Sequence, residues 1–205
     1  MAVRPILFLG DPVLREKAHK VKQLDKSTEK LIDDMVETLH AATGLGLAAN
    51  QVGVRQRVII VEIPYDEEDP GSGKLYALIN PEITHSSQEL MESEEGCLSI
   101  PYYYGEVVRP ESVIVKARDR KWHEVKIKAT GLLARALQHE IDHLNGVLFV
   151  DRMDGMAKLR YVPAKTKTEI ETESYHEAEA QKERDGAMRG LDGAVHTPSL
   201  AAVTA

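Results

Sequence analysis

His139-Glu140-Ile141-Asp142-His143 is the stretch that most constrains this chain. A helix turns once in about 3.6 residues, so side chains four apart share a face. Two imidazoles placed this way reach one metal ion. Glu140, beside the first of them, reaches a metal-bound water rather than the metal. H-E-x-x-H therefore reads as two ligands and a general base. Leu132, Leu133, Ala136, Leu137, Ile141 and Leu144 surround the pair, which places the helix in the core. Buried histidines need partners, and a metal is one. The spacing predicts a helix from about 131 to 145, with Thr130 as N-cap and Gly146 at C′.

The chain has 205 residues, which accommodates a catalytic domain over 1–165 followed by a charged helix and tail over 166–205. The formal net charge of -7 argues against non-specific DNA or RNA binding. A single cysteine, Cys97, excludes an intrachain disulfide and favours a reducing compartment. The first residues carry no apolar core with a cleavage site, and no segment approaches the ~18 apolar residues that span a bilayer. The expectation is a soluble, cytoplasmic protein that engages no membrane.

Gly10-Asp11-Pro12 opens a short helical turn, with Asp11 as cap and Pro12 at the first position. Leu31, Ile32, Met35, Val36 and Leu39 predict a helix over 26–42, capped by Asp25 or Ser27. Residues 44–51 read as a glycine-rich loop. Val58 to Ile63 reads as a buried strand. Leu75 to Ile79 reads as a second strand that ends at Asn80-Pro81. Alternation at 113–117 and 125–129 predicts a hairpin with its tip at 119–124, placing Trp122 there, partly exposed. Val147 to Val150 reads as a short strand. Residues 166–184 read as a solvated helix, and those from Gly186 onward as a poorly packed tail.

A catalytic metal needs a third protein ligand and an open position. Extended zincin proteases place a third histidine six residues after the second, where this chain has Phe149. Two alternatives stay open on the residues alone, a distant glutamate or Cys97 in Glu95-Gly-Cys-Leu-Ser99. The corresponding functional readings are a zincin-like protease and an amidohydrolase. A purely structural site needs four protein ligands and is disfavoured. Gly44-Leu-Gly-Leu-Ala-Ala-Asn-Gln51 lacks the Gly-Lys-Ser/Thr of a phosphate loop and suits a tight wall with one amide donor. His40, His85, His123, His176 and His196 read as surface residues. Asp142, turned away from the metal face, reads as a partner of a histidine ring or an arginine.

Taken together, Gly44 to Gln51, Glu95 to Ser99 and His139 to His143 resemble the three signatures of the peptide deformylase family, in order and uninterrupted. Asp11-Pro-Val-Leu-Arg15, Ile79-Asn-Pro81 and Val108-Arg-Pro110 extend the similarity over about residues 5–160. The resemblance implies an α+β fold with mixed or antiparallel strands around a central metal-site helix. It implies that Cys97, His139 and His143 hold one divalent ion, Fe(II) by expectation, with zinc, nickel or cobalt able to substitute. The implied reaction removes the formyl group from N-formyl-methionyl nascent peptides. Glu140 would be the general base, while the Gln51 amide and the Leu98 N–H would serve the oxyanion. Gly46 would pair with extended peptide backbone, and Leu45, Leu132, Arg135 and Ala136 would border the methionine side chain. The resemblance also raises a transient ribosome contact near Lys158, Arg160, Lys165 and Lys167, which the acidic stretch after Glu169 opposes. Tyr102 departs from the glycine common at that place, and the run Tyr102-Tyr103-Tyr104 is expected to alter the outer wall of the peptide groove and not the metal chemistry.

Overall fold

The computed structural model describes residues 2–42, 44–67 and 71–163. The charged helix and tail expected after residue 165 lie outside these residues, as do His176, His196, Lys165 and Lys167. Residues Met1–Val162 form one compact unit.

Among the described residues, two antiparallel sheets, two α-helices and four short 3-10 turns make up this unit. Helix α1, Lys26–Ala42, begins where Asp25 Oδ1 accepts the Thr28 N–H at 2.8 Å, which settles the choice between Asp25 and Ser27. It buries Leu31, Ile32, Met35 and Leu39 on one face. Strands β1 (Gly46–Ala48), β2 (Val58–Glu62), β3 (Leu75–Ser86), β6 (Ser112–Arg118) and β7 (Glu124–Thr130) form a sheet in the order β1-β2-β3-β6-β7. Strands β4 (Leu90–Cys97), β5 (Ile100–Pro110) and β8 (Arg160–Tyr161) form the second sheet. Every strand ladder is antiparallel. The single parallel pairing among the described residues is an isolated bridge between His19 and Gln56.

Helix α2, Gly131–Leu144, carries the two histidines. Its side chains from Leu133 to Leu144 are all buried. Leu133, Ala134, Leu137, Ile141 and Leu144 pack with Ile59, Val61, Val113 and Val115 of the five-stranded sheet. Each large aliphatic side chain so buried contributes roughly 1.5–3 kcal/mol before entropy is subtracted. Thr130 stands at the N-cap without a side-chain cap bond. Gly146, at φ 76°, ends the helix where a Cβ would lie 2.3 Å from the Arg15 carbonyl oxygen, so no other residue fits there.

Three local expectations need correction. Residues 44–51 are not wholly loop, because Gly46, Leu47 and Ala48 pair with Val61, Ile60 and Ile59, and Ala49–Val52 forms a 3-10 turn. β3 does not end at Asn80-Pro81. It shifts register there and continues to Ser86. Pro81, which cannot donate a ladder bond, falls within that irregularity. Asn80, at φ 53°, replaces the missing pairing by bonding both backbone groups of Val21 at 2.8 Å. Residues 147–150 form no strand. Phe149–Asp151 is a 3-10 turn closed by Asp151 Oδ2 accepting the Leu148 N–H at 2.8 Å.

The amino-terminal segment straps the site from outside. Leu7 N–H donates to the Gln51 carbonyl and Leu9 N–H to the Ser99 carbonyl, both at 2.8 Å. Asp34 on α1 anchors the strap by accepting from Ala2 N–H and from Arg4. The Lys30 ammonium beside Asp34 holds its carboxyl at about 2 despite opposing desolvation, and Arg4 assists. A depressed folded value stabilises above the ordinary value near 3.8 and is lost as pH falls towards 2. The stability difference between the wild type and Asp34→Asn is therefore expected to be full at pH 7 and to shrink between pH 4 and pH 2. Thermal denaturation across that range measures it. A difference independent of pH would disprove the anchoring role.

Candidate metal centre and active site

Three side chains from two different parts of the fold converge. Cys97 ends β4, while His139 and His143 project from α2. Their ligating atoms lie within 4.8 Å of one another. Cys97 Sγ is 3.2 Å from His143 Nε2, close to the ~3.5 Å expected between two donors on a tetrahedral ion with metal–ligand bonds of about 2.0–2.3 Å. Thiolate with two imidazoles is a donor set for iron, zinc, nickel or cobalt, and not for magnesium or calcium. The residues present therefore fit a borderline divalent ion.

Burial drives the His143 ring well below its ordinary value. Burial also opposes charge on His139, but Cys97 and Glu95 outweigh it and raise that ring. Glu95 Oε2 accepts from His139 Nδ1 at 2.9 Å, which directs the other nitrogen toward Cys97. Glu95 was not foreseen as a site residue. It is buried and also bound by Arg109 at 2.5 and 2.9 Å and by Arg135 at 2.7 Å. A sequence cue was present, a glutamate two residues before the cysteine, but its arginine partners lie 14 and 40 positions away.

Glu140 is buried on α2, and desolvation lifts its carboxyl to about 7. Its Oε2 has no hydrogen-bond partner among the described residues. Gly46 of β1 lies directly against this side chain. A Cβ there would fall 2.5 Å from Glu140 Oε1, so glycine permits the contact. Gln51 turns its amide by design of its neighbours. Its oxygen accepts the Ala48 N–H at 2.7 Å, which leaves Nε2 facing Ser99 Oγ at 3.1 Å and Cys97 Sγ at 3.6 Å. Leu98 follows Cys97 where the β4–β5 register shifts.

A pocket of about 270 Å³ opens on this cluster. Leu45, Gly46, Gln51, Cys97, Leu98, Leu132, Arg135, Ala136, His139 and Glu140 all line it, which brings every sequence-predicted site residue but His143 to one pocket. Leu45 and Leu132 are exposed apolar side chains, as a side-chain pocket requires. Arg135 lines it too, but its guanidinium is spent on Glu95 and on the Met91 and Val107 carbonyls. Of the tyrosine run expected at the outer groove, Tyr104 lines the pocket, and its ring covers Gly96. Asp142 binds Arg109 and Arg152, the arginine partnership expected of it.

The family model for polypeptide deformylase matches residues 3–159. This chain belongs to the polypeptide deformylase family. The peptide deformylase of Thermomicrobium roseum is 52% identical over 164 residues, covering 80% of this chain and 93% of that protein. The one from Rhizobium meliloti is 46% identical over 151 residues, covering 74% and 85%. Among solved structures, the Ehrlichia chaffeensis peptide deformylase in complex with actinonin aligns with a TM-score of 0.72 at 45% identity, covering 77% of this chain and 92% of that one. The Thermotoga maritima peptide deformylase aligns with a TM-score of 0.70 at 38% identity, covering 76% and 100%. The α+β architecture with antiparallel sheets is the one expected for this deformylase family. No described helix is long and apolar enough to cross a membrane.

Proposed function

We propose that this deformylase removes the formyl group from N-formyl-methionyl peptides at a single divalent ion held by Cys97, His139 and His143. The observation that carries the reading is the convergence of those three donors beside the buried Glu140 carboxylate. A bound ion supplies Lewis acidity, which makes hydroxide accessible near neutral pH. Glu140 then accepts the proton of the attacking water and passes it to the leaving amine. The water oxygen bonds to the formyl carbon, the C–N bond breaks, and formate and a free methionyl amine result. The Gln51 amide and the Leu98 N–H are preorganised donors for the oxyanion. Gly46 offers backbone to an extended peptide, a mode of recognition that tolerates varied sequence. Leu45, Leu132 and Ala136 receive the methionine side chain.

The ion is Fe(II), with zinc, nickel or cobalt able to replace it, and the enzyme works in the cytoplasm on nascent chains. A transient ribosome contact belongs to the same reading. Lys158 and Arg160, which pair at the surface with Glu92, Glu106 and Glu94, would share that contact with Lys165 and Lys167. Co-sedimentation of the full chain and of a chain ending at 163 tests it.

The deciding experiment for the activity is formate release from formyl-Met-Ala-Ser by anaerobically purified protein, with metal analysis. One formate per free amine and about one ion per chain is the expected result. Metal-loaded protein that releases none refutes the reading. Gln51→Ala should lower kcat by roughly 10²-fold, the scale of one lost oxyanion donor. An unchanged kcat removes Gln51 from that role.

A further inference from the structure

Arg152 has no part in the chemistry above, yet it ends a chain of bonds that reaches a metal ligand. It follows the Phe149–Asp151 turn, and its side chain is 50% exposed. Its guanidinium holds both oxygens of Asp142, Nε to Oδ2 at 3.1 Å and Nη2 to Oδ1 at 2.7 Å. Asp142 Oδ2 also accepts from Arg109 Nη1 at 2.8 Å. Arg109 spends its remaining edge on Glu95, at 2.5 and 2.9 Å. Glu95 in turn accepts from His139 Nδ1 at 2.9 Å.

We propose that Arg152 is a positioning residue of the metal centre, acting on His139 through Asp142, Arg109 and Glu95. The proposal rests on the reading of Cys97, His139 and His143 as the ligands. Its physical basis is the shortage of slack along the relay. Asp142 and Arg109 are both buried in the intact protein, so each depends on its present partners. Without Arg152, Asp142 Oδ1 loses its partner, and the carboxylate competes with Glu95 for Arg109, the one guanidinium the two share, while Arg135 still holds Glu95 Oε1 at 2.7 Å. Arg109 then moves or divides its bonds, and the oxygen that orients His139 moves with it. Buried polar chains transmit such changes because their members polarise and hold one another. Partners outside the ligand set commonly alter metal affinity by about 10–100-fold.

The test uses full-length protein and Co(II) alone as the probe, titrated in competition with a chromophoric chelator while the visible bands of the bound ion are recorded. Arg152→Ala is expected to weaken Co(II) binding about 10-fold, at the low end of that range because three side chains intervene, and to shift the bands. Arg152→Lys, which keeps the charge but not the two-pronged grip, should fall between it and the wild type. In an Asp142→Asn background, Arg152→Ala should add little, because the relay is already cut. Unchanged affinity and bands in Arg152→Ala, even with a lowered Tm, overturn the proposal and leave Arg152 as a pin for its turn. Full additivity with Asp142→Asn also overturns it, and would direct attention to Phe149, whose ring stacks on His139 at 6.3 Å. If Arg152→Ala does not fold, Arg152→Lys decides alone, with wild-type affinity and bands counting against the relay. Failure of the wild type to bind Co(II), or equal binding by Cys97→Ala, refutes the ligand reading itself, a result distinct from an unaffected Arg152 variant.

Discussion

Glu140→Gln is expected to retain its metal ion and to lose deformylation by about 10²–10⁴-fold in kcat/KM, the range for a general acid–base group. The substitution preserves volume in a tight place. Glu140 is 4% exposed, and Gly46 leaves no room for so much as a methyl group beside it. The amide can sit where the carboxylate sat but cannot take a proton. Because His139 and His143 contribute the ligating atoms and Glu140 is outside the cluster of donors, metal content should not change. Steady-state formate release and metal analysis on the same sample measure both quantities. Turnover near that of the wild type would remove Glu140 as the proton carrier. Loss of the ion would show instead that Glu140 serves as a ligand.

Cys97→Ala should reduce bound metal from about one ion per chain to nearly none after dialysis, and formate release should drop to background. Two histidines alone leave a borderline ion under-coordinated. The nearest replacement would be Glu95, two residues upstream. Its oxygens are already engaged by Arg109, Arg135 and His139, so it has no oxygen to swing toward an ion without breaking a buried charge network. Breaking such a network by removing one partner commonly costs about 3–5 kcal/mol. Stoichiometric metal in Cys97→Ala would sink the three-donor assignment and favour a glutamate ligand.

What could be read from the sequence follows from how local each signal is. The two histidines and Glu140 are legible because one helix turn places them, and Leu133, Leu137 and Ile141 declare its buried side. The hairpin of β6 and β7 is legible from strict alternation. Strands β4 and β5 were not anticipated, and the reason is chemical. Their inward positions include Glu95 and Arg109, both buried. A strand that buries charge lacks the apolar/polar alternation that marks a half-buried strand. Each charge is tolerable inside only because the other faces it, and that pairing is a property of the folded sheet. The same non-locality hid the bond from Glu95 to His139, 44 residues apart. Asn80 shows the converse case. Asn-Pro is a sound stop signal, yet the side chain of Asn80 satisfies Val21 and lets β3 proceed beyond the proline.

The placement of the donors has a mechanical consequence. Cys97 belongs to the three-stranded sheet, whereas His139 and His143 stand on the helix that covers the five-stranded one. An ion gripped by all three is a rivet through a seam between two separately hydrogen-bonded layers. Its binding free energy adds to the cohesion of that seam by mass action, about 2.7 kcal/mol when free ion stands at 100 times its Kd. Metal starvation would then loosen the joint as well as silence the chemistry, so that the cell's supply of the ion sets both how fast this enzyme works and how long it lasts.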